Sequence, residues 1–253
     1  IASQAHIQAM ANTKPGVGEW QLEGIIEGLF KYCRSSGIAY PCIIGSGDNA
    51  TVLHYTVNDD TCEDGEVLLI DAGCEYNGYA SDITRSWPVN GKFSDAQAEI
   101  YQIVLDSQLA AIDECRVGNS YDAPHIAARR VLAEGLIKLG VINQDLEDAL
   151  SVDGELNTWY MHNTGHWLGL DVHDVGIYRP DGEARLLEEG MVLTVEPGLY
   201  FGAWRPDVDC PERYANIGIR IEDDVLVTRD GPDVLSSDCP KTIANIESIV
   251  GTA

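Results

Sequence analysis

Positive charge is scarce in this chain. Its 253 residues hold 16 Lys+Arg against 41 Asp+Glu, a formal net charge of −25. Only five of the basic residues are Lys. So acidic a surface is repelled by nucleic acid and by anionic membranes, and neither is expected as a partner. The Lys scarcity fits either a salt-rich habitat or an ordinary solvated acidic surface. Long apolar runs are missing too, and none approaches the roughly 20 residues that cross a bilayer. No C-x-x-C occurs, and the seven cysteines, Cys33, Cys42, Cys62, Cys74, Cys115, Cys210 and Cys239, are odd in number and scattered. That excludes a disulfide framework and a thiolate zinc site, and it points to a reducing cytoplasm. No repeat and no linker rich in Pro, Gly or Ser divides the chain, so residues 1–253 read as one domain. The start, Ile1-Ala2-Ser3-Gln4, lacks both a basic segment and an apolar segment, so no signal peptide is expected. It also lacks an initiator Met, which points to the C-terminal part of a longer protein.

What is present is a normal globular apolar content of 45% with clear periodicities. Leu22, Ile25, Ile26, Leu29, Phe30 and Cys33 follow helical spacing, and Ser36-Gly37 ends that segment. Ser94-Asp95-Ala96-Gln97 is a capping box that predicts a helix to about Cys115. A third helix is expected from about Asp122 to Leu139, stopped by Gly140. All three read as core scaffold. Glu66 to Asp71 is a buried apolar strand ending in a carboxylate. Tyr79 to Val89 alternates, with Tyr79, Ser81, Ile83, Arg85 and Trp87 on one face and Asp82, Thr84 and Ser86 on the other. Met191 to Val195 and Ile217 to Val227 also read as strands. The fold class is α+β.

Chemistry enters with the hairpin. Asn77-Gly78 signals a two-residue turn, so cross-strand partners sum to 155. Asp71 then faces Thr84, Asp82 faces Gly73, and the two Asp lie diagonally on one face, with Cβ atoms within about 7–8 Å. The pair alone fits either a shared metal or a solvated hairpin. His162, His166 and His173 follow within twelve residues. Each alone fits a hydrogen-bonded loop or core residue, whereas together they point to a site. On a helix His162 and His166 would share a face, but Gly165 and Gly169 make a strand or loop at least as apt. Glu196 ends an apolar strand before Pro197-Gly198, and Glu222 alternates with Arg220 ahead of Ile219 and Ile221. Taken singly, each Glu fits a surface carboxylate. Together Asp71, Asp82, Glu196 and Glu222 balance two divalent cations, and His166 adds a nitrogen. Oxygen-rich ligands with one imidazole suit Mn²⁺, Co²⁺ or Fe²⁺ better than a structural zinc.

The order Asp71, Asp82, His166, Glu196, Glu222 resembles the metallo-aminopeptidases of the pita-bread fold, a curved mixed sheet with flanking helices. Within that superfamily the chain is most similar to the aminopeptidase P (Xaa-Pro aminopeptidase) and prolidase branch. The resemblance runs from about Glu19 to Val227. Beyond the ligands it rests on Ile44-Gly45-Ser46-Gly47-Asp48-Asn49-Ala50, Leu53-His54-Tyr55-Thr56, Leu69 to Tyr79, Asp82-Ile83-Thr84-Arg85, His162 to Gly176, Leu193 to Tyr200 and Gly218 to Asp223. It implies a dinuclear site, Mn²⁺ above Co²⁺, Fe²⁺ or Zn²⁺, with Asp82 and Glu222 bridging. It implies a hydroxide between the metals as the nucleophile and Glu196 as general base. His173 would stabilise the oxyanion, His54 and His162 would handle substrate, and Arg220 would organise the site. The substrates implied are peptides with proline second, cleaved Xaa-|-Pro. Assembly as a homodimer or homotetramer follows from the same likeness.

The chain departs from the family in two places. Tyr40-Pro41-Cys42-Ile43-Ile44 is shorter than in some bacterial relatives, which bears on the substrate entrance. The N-terminal domain of aminopeptidase P and prolidase has no room here, and Ile1 to Ala11 reads as the tail of a linking helix. The rival readings are Xaa-Pro dipeptidase (prolidase), methionine aminopeptidase and a non-catalytic peptide-binding module. The Leu53-His54-Tyr55 and Ile219 to Asp224 segments speak against methionine specificity, and the intact ligand set speaks against a binding module. Gly45-Ser46-Gly47 lacks the rest of a phosphate-loop signature, so nucleotide binding is not expected.

Overall fold

The computed structural model describes residues 1–253. Helices α1 (Ala2–Asn12) and α2 (Glu19–Tyr32) precede strands β1 (Gly37–Ile38), β2 (Ile43–Ser46), β3 (Val67–Asp71), β4 (Cys74–Tyr76), β5 (Tyr79–Ala80) and β6 (Thr84–Pro88). Helices α3 (Asp95–Asp113), α4 (Ala123–Lys138), α5 (Leu146–Leu150) and α6 (Leu156–Trp159) follow. The chain closes with β7 (Val192–Val195), β8 (Gly198–Tyr200), β9 (Gly218–Arg220), β10 (Asp223–Thr228), β11 (Gly231–Val234) and α7 (Ile243–Glu247).

The three expected helices form within a residue or two of their signals. Ser94 caps α3 by accepting the Gln97 N–H at 3.3 Å, and Gln97 Oε1 accepts the Ser94 N–H at 2.9 Å. Gly140, at φ +71°, lies just past the end of α4. Leu22, Ile26 and Phe30 of α2 pack with Leu68, Ile70 and Trp87 of β3 and β6 in the larger of the cores. Burial of one such side chain stabilises by about 1.5–3 kcal/mol. A second core joins α3 and α4 to β7 and β10 through Ala111, Ala128, Leu193, Val195 and Val225.

The sheets run β2-β3-β6, β1-β4-β5, β11-β10-β7 and β8-β9. Every pairing is antiparallel, in contrast to the mixed sheet implied by the resemblance, because hairpins and direct returns replace parallel crossovers. The predicted register holds: Asp71 pairs with Thr84, Glu75 with Ala80 and Tyr76 with Tyr79. Asn77 and Gly78 take φ +53° and +86°, as a type I′ turn needs.

Two expected strands are each broken in two. The first splits between Ala80 and Thr84, where the Cys74 N–H turns from the Ser81 main chain to Ser81 Oγ at 3.0 Å and the outward Asp82 N–H donates to Asp224 Oδ2 at 3.1 Å. Gly73 is required there: a Cβ would stand 1.7 Å from the Ser81 carbonyl oxygen. The second splits at Ile221-Glu222, where the chain passes from β8 to β7 as partner and the Glu222 N–H bonds Thr84 O. This hand-over carries Glu222 to the Asp71–Asp82 hairpin.

Candidate metal centre

Six stretches of chain converge on a cavity of about 430 Å³ lined by Asp71, Asp82, His166, Glu196, Arg220 and Glu222. Asp71 ends β3, and Asp82 sits in the gap before β6. Glu196 follows β7, Arg220 ends β9, and Glu222 occupies the hand-over. His166 lies in an irregular loop, so the helical alternative for His162 and His166 does not hold. That loop is anchored to β7: Thr194 N–H donates to His166 O at 3.0 Å, and the His166 N–H donates to Thr194 Oγ1 at 3.1 Å.

The five predicted ligands come together. Ligand atoms of Asp82, His166 and Glu222 lie within 4.8 Å of one another. His166 Nε2 is 3.3 Å from Asp82 Oδ2 and 3.6 Å from Glu196 Oε1. Asp71 joins through Tyr40, whose hydroxyl contacts carboxylate oxygens of both Asp71 and Asp82. Asp82 and Glu222 are nearly inaccessible, at 5% and 2% exposure. The four carboxylates face one guanidinium, Arg220, which donates to Asp71 Oδ2 at 2.7 Å. Four negative charges against one positive leaves three uncompensated in a buried space. Burial and mutual repulsion therefore hold Asp82 and Glu222 well above the usual carboxylate range, and burial lifts Glu196 to about 7. Such a donor set, rich in oxygen with one imidazole, fits divalent cations, which would supply the missing positive charge.

The predicted neighbours divide into two kinds. His54 and His173 are exposed on the cavity wall, and His173 stacks edge-on to His166 with ring centres 4.2 Å apart. His162 also lines the cavity, but both of its ring nitrogens are engaged by the protein. Its Nδ1–H donates to Asn163 O at 2.7 Å, and its Nε2 accepts the Tyr200 hydroxyl at 2.8 Å. Tyr200 in turn accepts from Arg220 Nη1 at 3.0 Å. Burial and the nearby Arg220 push His162 down to about 3, so it is neutral.

Sequence reasoning assigned no role to Tyr40, Thr84, Thr194 or Tyr200. Thr84 donates to Glu222 Oε2 at 2.5 Å and accepts from Arg220 Nε at 3.1 Å. The hairpin arithmetic already set it opposite Asp71, so its position was available while its partners were not. The helices are also more than scaffold. His125 of α4 bonds Thr164 Oγ1 at 2.8 Å, behind the His166 loop.

The model of metallopeptidase family M24 matches residues 1–229. The sequence is 46% identical to the Xaa-Pro aminopeptidase of Escherichia coli (strain K12), over 100% of this chain and 56% of that protein. It is 39% identical to Xaa-Pro aminopeptidase 3 of Homo sapiens, over 100% of this chain and 48% of the relative. The structure of Pseudomonas aeruginosa aminopeptidase PepP superposes with a TM-score of 0.94 at 45% identity, over 98% of this chain and 55% of that one. The chain thus spans about half the length of the relatives it matches. The fold is the pita-bread fold of the aminopeptidase P structures. The chain belongs to metallopeptidase family M24.

Proposed function

We propose that residues 1–253 are the catalytic domain of a metal-dependent Xaa-Pro aminopeptidase, releasing the first residue from peptides with proline second. One observation carries the reading: Asp71, Asp82, His166, Glu196 and Glu222, scattered over 152 positions by the numbering, line one cavity with a single guanidinium for countercharge. These five residues would hold two divalent cations, Mn²⁺ first and Co²⁺, Fe²⁺ or Zn²⁺ as alternatives, with Asp82 and Glu222 shared. Such cations lower the pKa of water and stabilise negative charge developing on a carbonyl oxygen. Similarity to proteins named Xaa-Pro aminopeptidase supports the substrate class.

The protein's own groups supply the rest. Glu196 takes the proton of the attacking water at a carboxylate oxygen. His173, exposed beside His166, donates to the carbonyl oxygen as its charge grows. His54, on the same wall, contacts the peptide. His162 has no free ring nitrogen and instead holds Tyr200 against Arg220, which fixes Asp71. Seven free thiols favour a reducing compartment, the cytoplasm, and no helix is long and apolar enough to cross a membrane. Assembly as a homodimer or homotetramer belongs to the same reading.

The test is mass-spectrometric hydrolysis of a peptide panel by the Mn²⁺-loaded protein, with Asp82→Ala as control. Release of the first residue from Xaa-Pro-Xaa and longer peptides, lost in the control, is the expected result. Cleavage of Xaa-Pro dipeptides alone would make it a dipeptidase, and cleavage after Met a methionine aminopeptidase. Failure to bind Mn²⁺ at all would leave a peptide-binding module.

A further inference from the structure

Asp223 and Asp224 are neighbours in β10 with opposite surroundings. Asp223 is enclosed by Arg85 Nη2 and Ser236 Oγ at 2.6 Å on one oxygen, and by Gln108 Nε2 at 2.6 Å and Lys241 Nζ at 2.7 Å on the other. Asp224 points to the other face and meets no cation. Its Oδ2 accepts one hydrogen bond, from the Asp82 N–H at 3.1 Å, and its Oδ1 is buried without any partner. The residue is only 5% exposed. A carboxylate buried on one hydrogen bond costs stability, and nothing in the packing around it offsets that cost.

Its position accounts for its presence. Asp224 pairs directly with Thr194 across β10 and β7, so both side chains share a face. Thr194 accepts from the His166 N–H and donates to Glu196 Oε1 at 3.3 Å. Asp224 reaches the Asp82 main chain where β5 and β6 separate. The two residues thus brace three of the candidate ligands from behind, one through a hydroxyl and one through a carboxylate. Asp224 does not line the cavity itself. Residues behind the ligands orient them and set the local potential.

We propose that Asp224 is a positioning residue for the cation site: it fixes the Asp82 main chain at the strand break and places a further carboxylate behind Asp82 and His166, which tightens divalent-cation binding. The proposal rests on the reading of this cavity as a cation site. It explains why an unpaired acid persists in β10 beside a fully paired one.

The test uses the full chain, Asp224→Asn and Asp224→Ala, with two readouts: calorimetric titration with Mn²⁺, and thermal unfolding of the metal-stripped protein. Asn keeps an acceptor for the Asp82 N–H and removes the charge, with its NH2 group taking the place of the partnerless Oδ1. The expected result for Asp224→Asn is Mn²⁺ affinity weaker by about 10–100-fold, with an unfolding midpoint of the stripped protein equal to or above that of the native chain. Asp224→Ala, which also orphans the Asp82 N–H, is expected to bind more weakly still. Unchanged affinity in Asp224→Asn overturns the proposal while leaving the cation site in place. So does a lowered midpoint with unchanged affinity, which marks a purely structural acceptor. A native chain that binds no Mn²⁺ overturns the cation site, and this proposal with it.

Discussion

Two buried acidic regions lie within a few residues of each other, and they are built on opposite plans. Around Asp223, the carboxylate meets Arg85 and Lys241, and Arg85 itself is fully buried with its N–H groups directed at Thr84 O, Glu222 O, Cys239 O and Pro240 O. Arg85, then Lys241, hold Asp223 well below the usual carboxylate range despite its burial. Around Asp82 and Glu222, four carboxylates share Arg220, and Asp82, Glu196 and Glu222 are pushed the other way. A buried carboxylate that brings its own counterion is a fastener. One that leaves its charge unanswered has room for a cation to balance it. Burial alone does not separate the two, whereas the tally of countercharge does.

This contrast can be broken at Arg85. Arg85→Met leaves Asp223 buried with Lys241 alone and is expected to cost about 3–5 kcal/mol in urea unfolding. A small loss would mean that the region around Asp223 is not a fastener. Acid sharpens the contrast, because the two regions respond with opposite sign. Asp223 is depressed, so its contribution is present above the ordinary Asp pKa and is lost as pH falls below it. Glu196 is raised from 4.5 to about 7 in the cation-free protein, so its penalty is present above pH 7 and is relieved as pH falls toward 4.5. In metal-stripped protein, Glu196→Gln is expected to stabilise at pH 8 by up to about 3 kcal/mol and to do nothing at pH 4.5. An advantage that does not shrink with acid would refute this. Cation binding comes next in size. Mn²⁺ at a hundredfold over its dissociation constant is expected to raise the unfolding free energy by about 2.7 kcal/mol, and Asp82→Ala is expected to abolish that gain. The smallest effect belongs to the surface. Lys92 bonds Glu247 at 2.7 Å but is 74% exposed, so Lys92→Met is expected to change stability by less than about 1 kcal/mol.

How far the sequence could be read depended on the range of the interactions involved. The Ser94 capping box and the Asn77-Gly78 turn are local, and both appear as expected, register included. The alternation at Arg220 and Glu222 also survives, with Ile219 and Ile221 packed in the core behind. The strand breaks escaped because the partners at them are distant: the Asp82 N–H donates to an acceptor 142 residues away. The bridging position of Tyr40 escaped for a similar reason, since it lies 31 and 42 residues from its partners. The His162 to His173 loop has no period to read, and its shape is set by β7 and by Tyr121, whose hydroxyl donates to Gly165 O at 2.6 Å.

The hand-over at Glu222 also has a temporal side. Asp71 and Asp82 belong to one hairpin and meet early, while Glu222 reaches Thr84 only across 138 residues of intervening chain. A nascent chain therefore carries three of the five candidate ligands, Asp71, Asp82 and His166, until its last third has docked. Cations that need the whole set recognise the finished fold and not the path to it. Refolding in Mn²⁺ is accordingly expected to proceed at the rate seen without it, with the gain falling on slower unfolding. An ion held by the proposed set would act as a latch on the completed molecule.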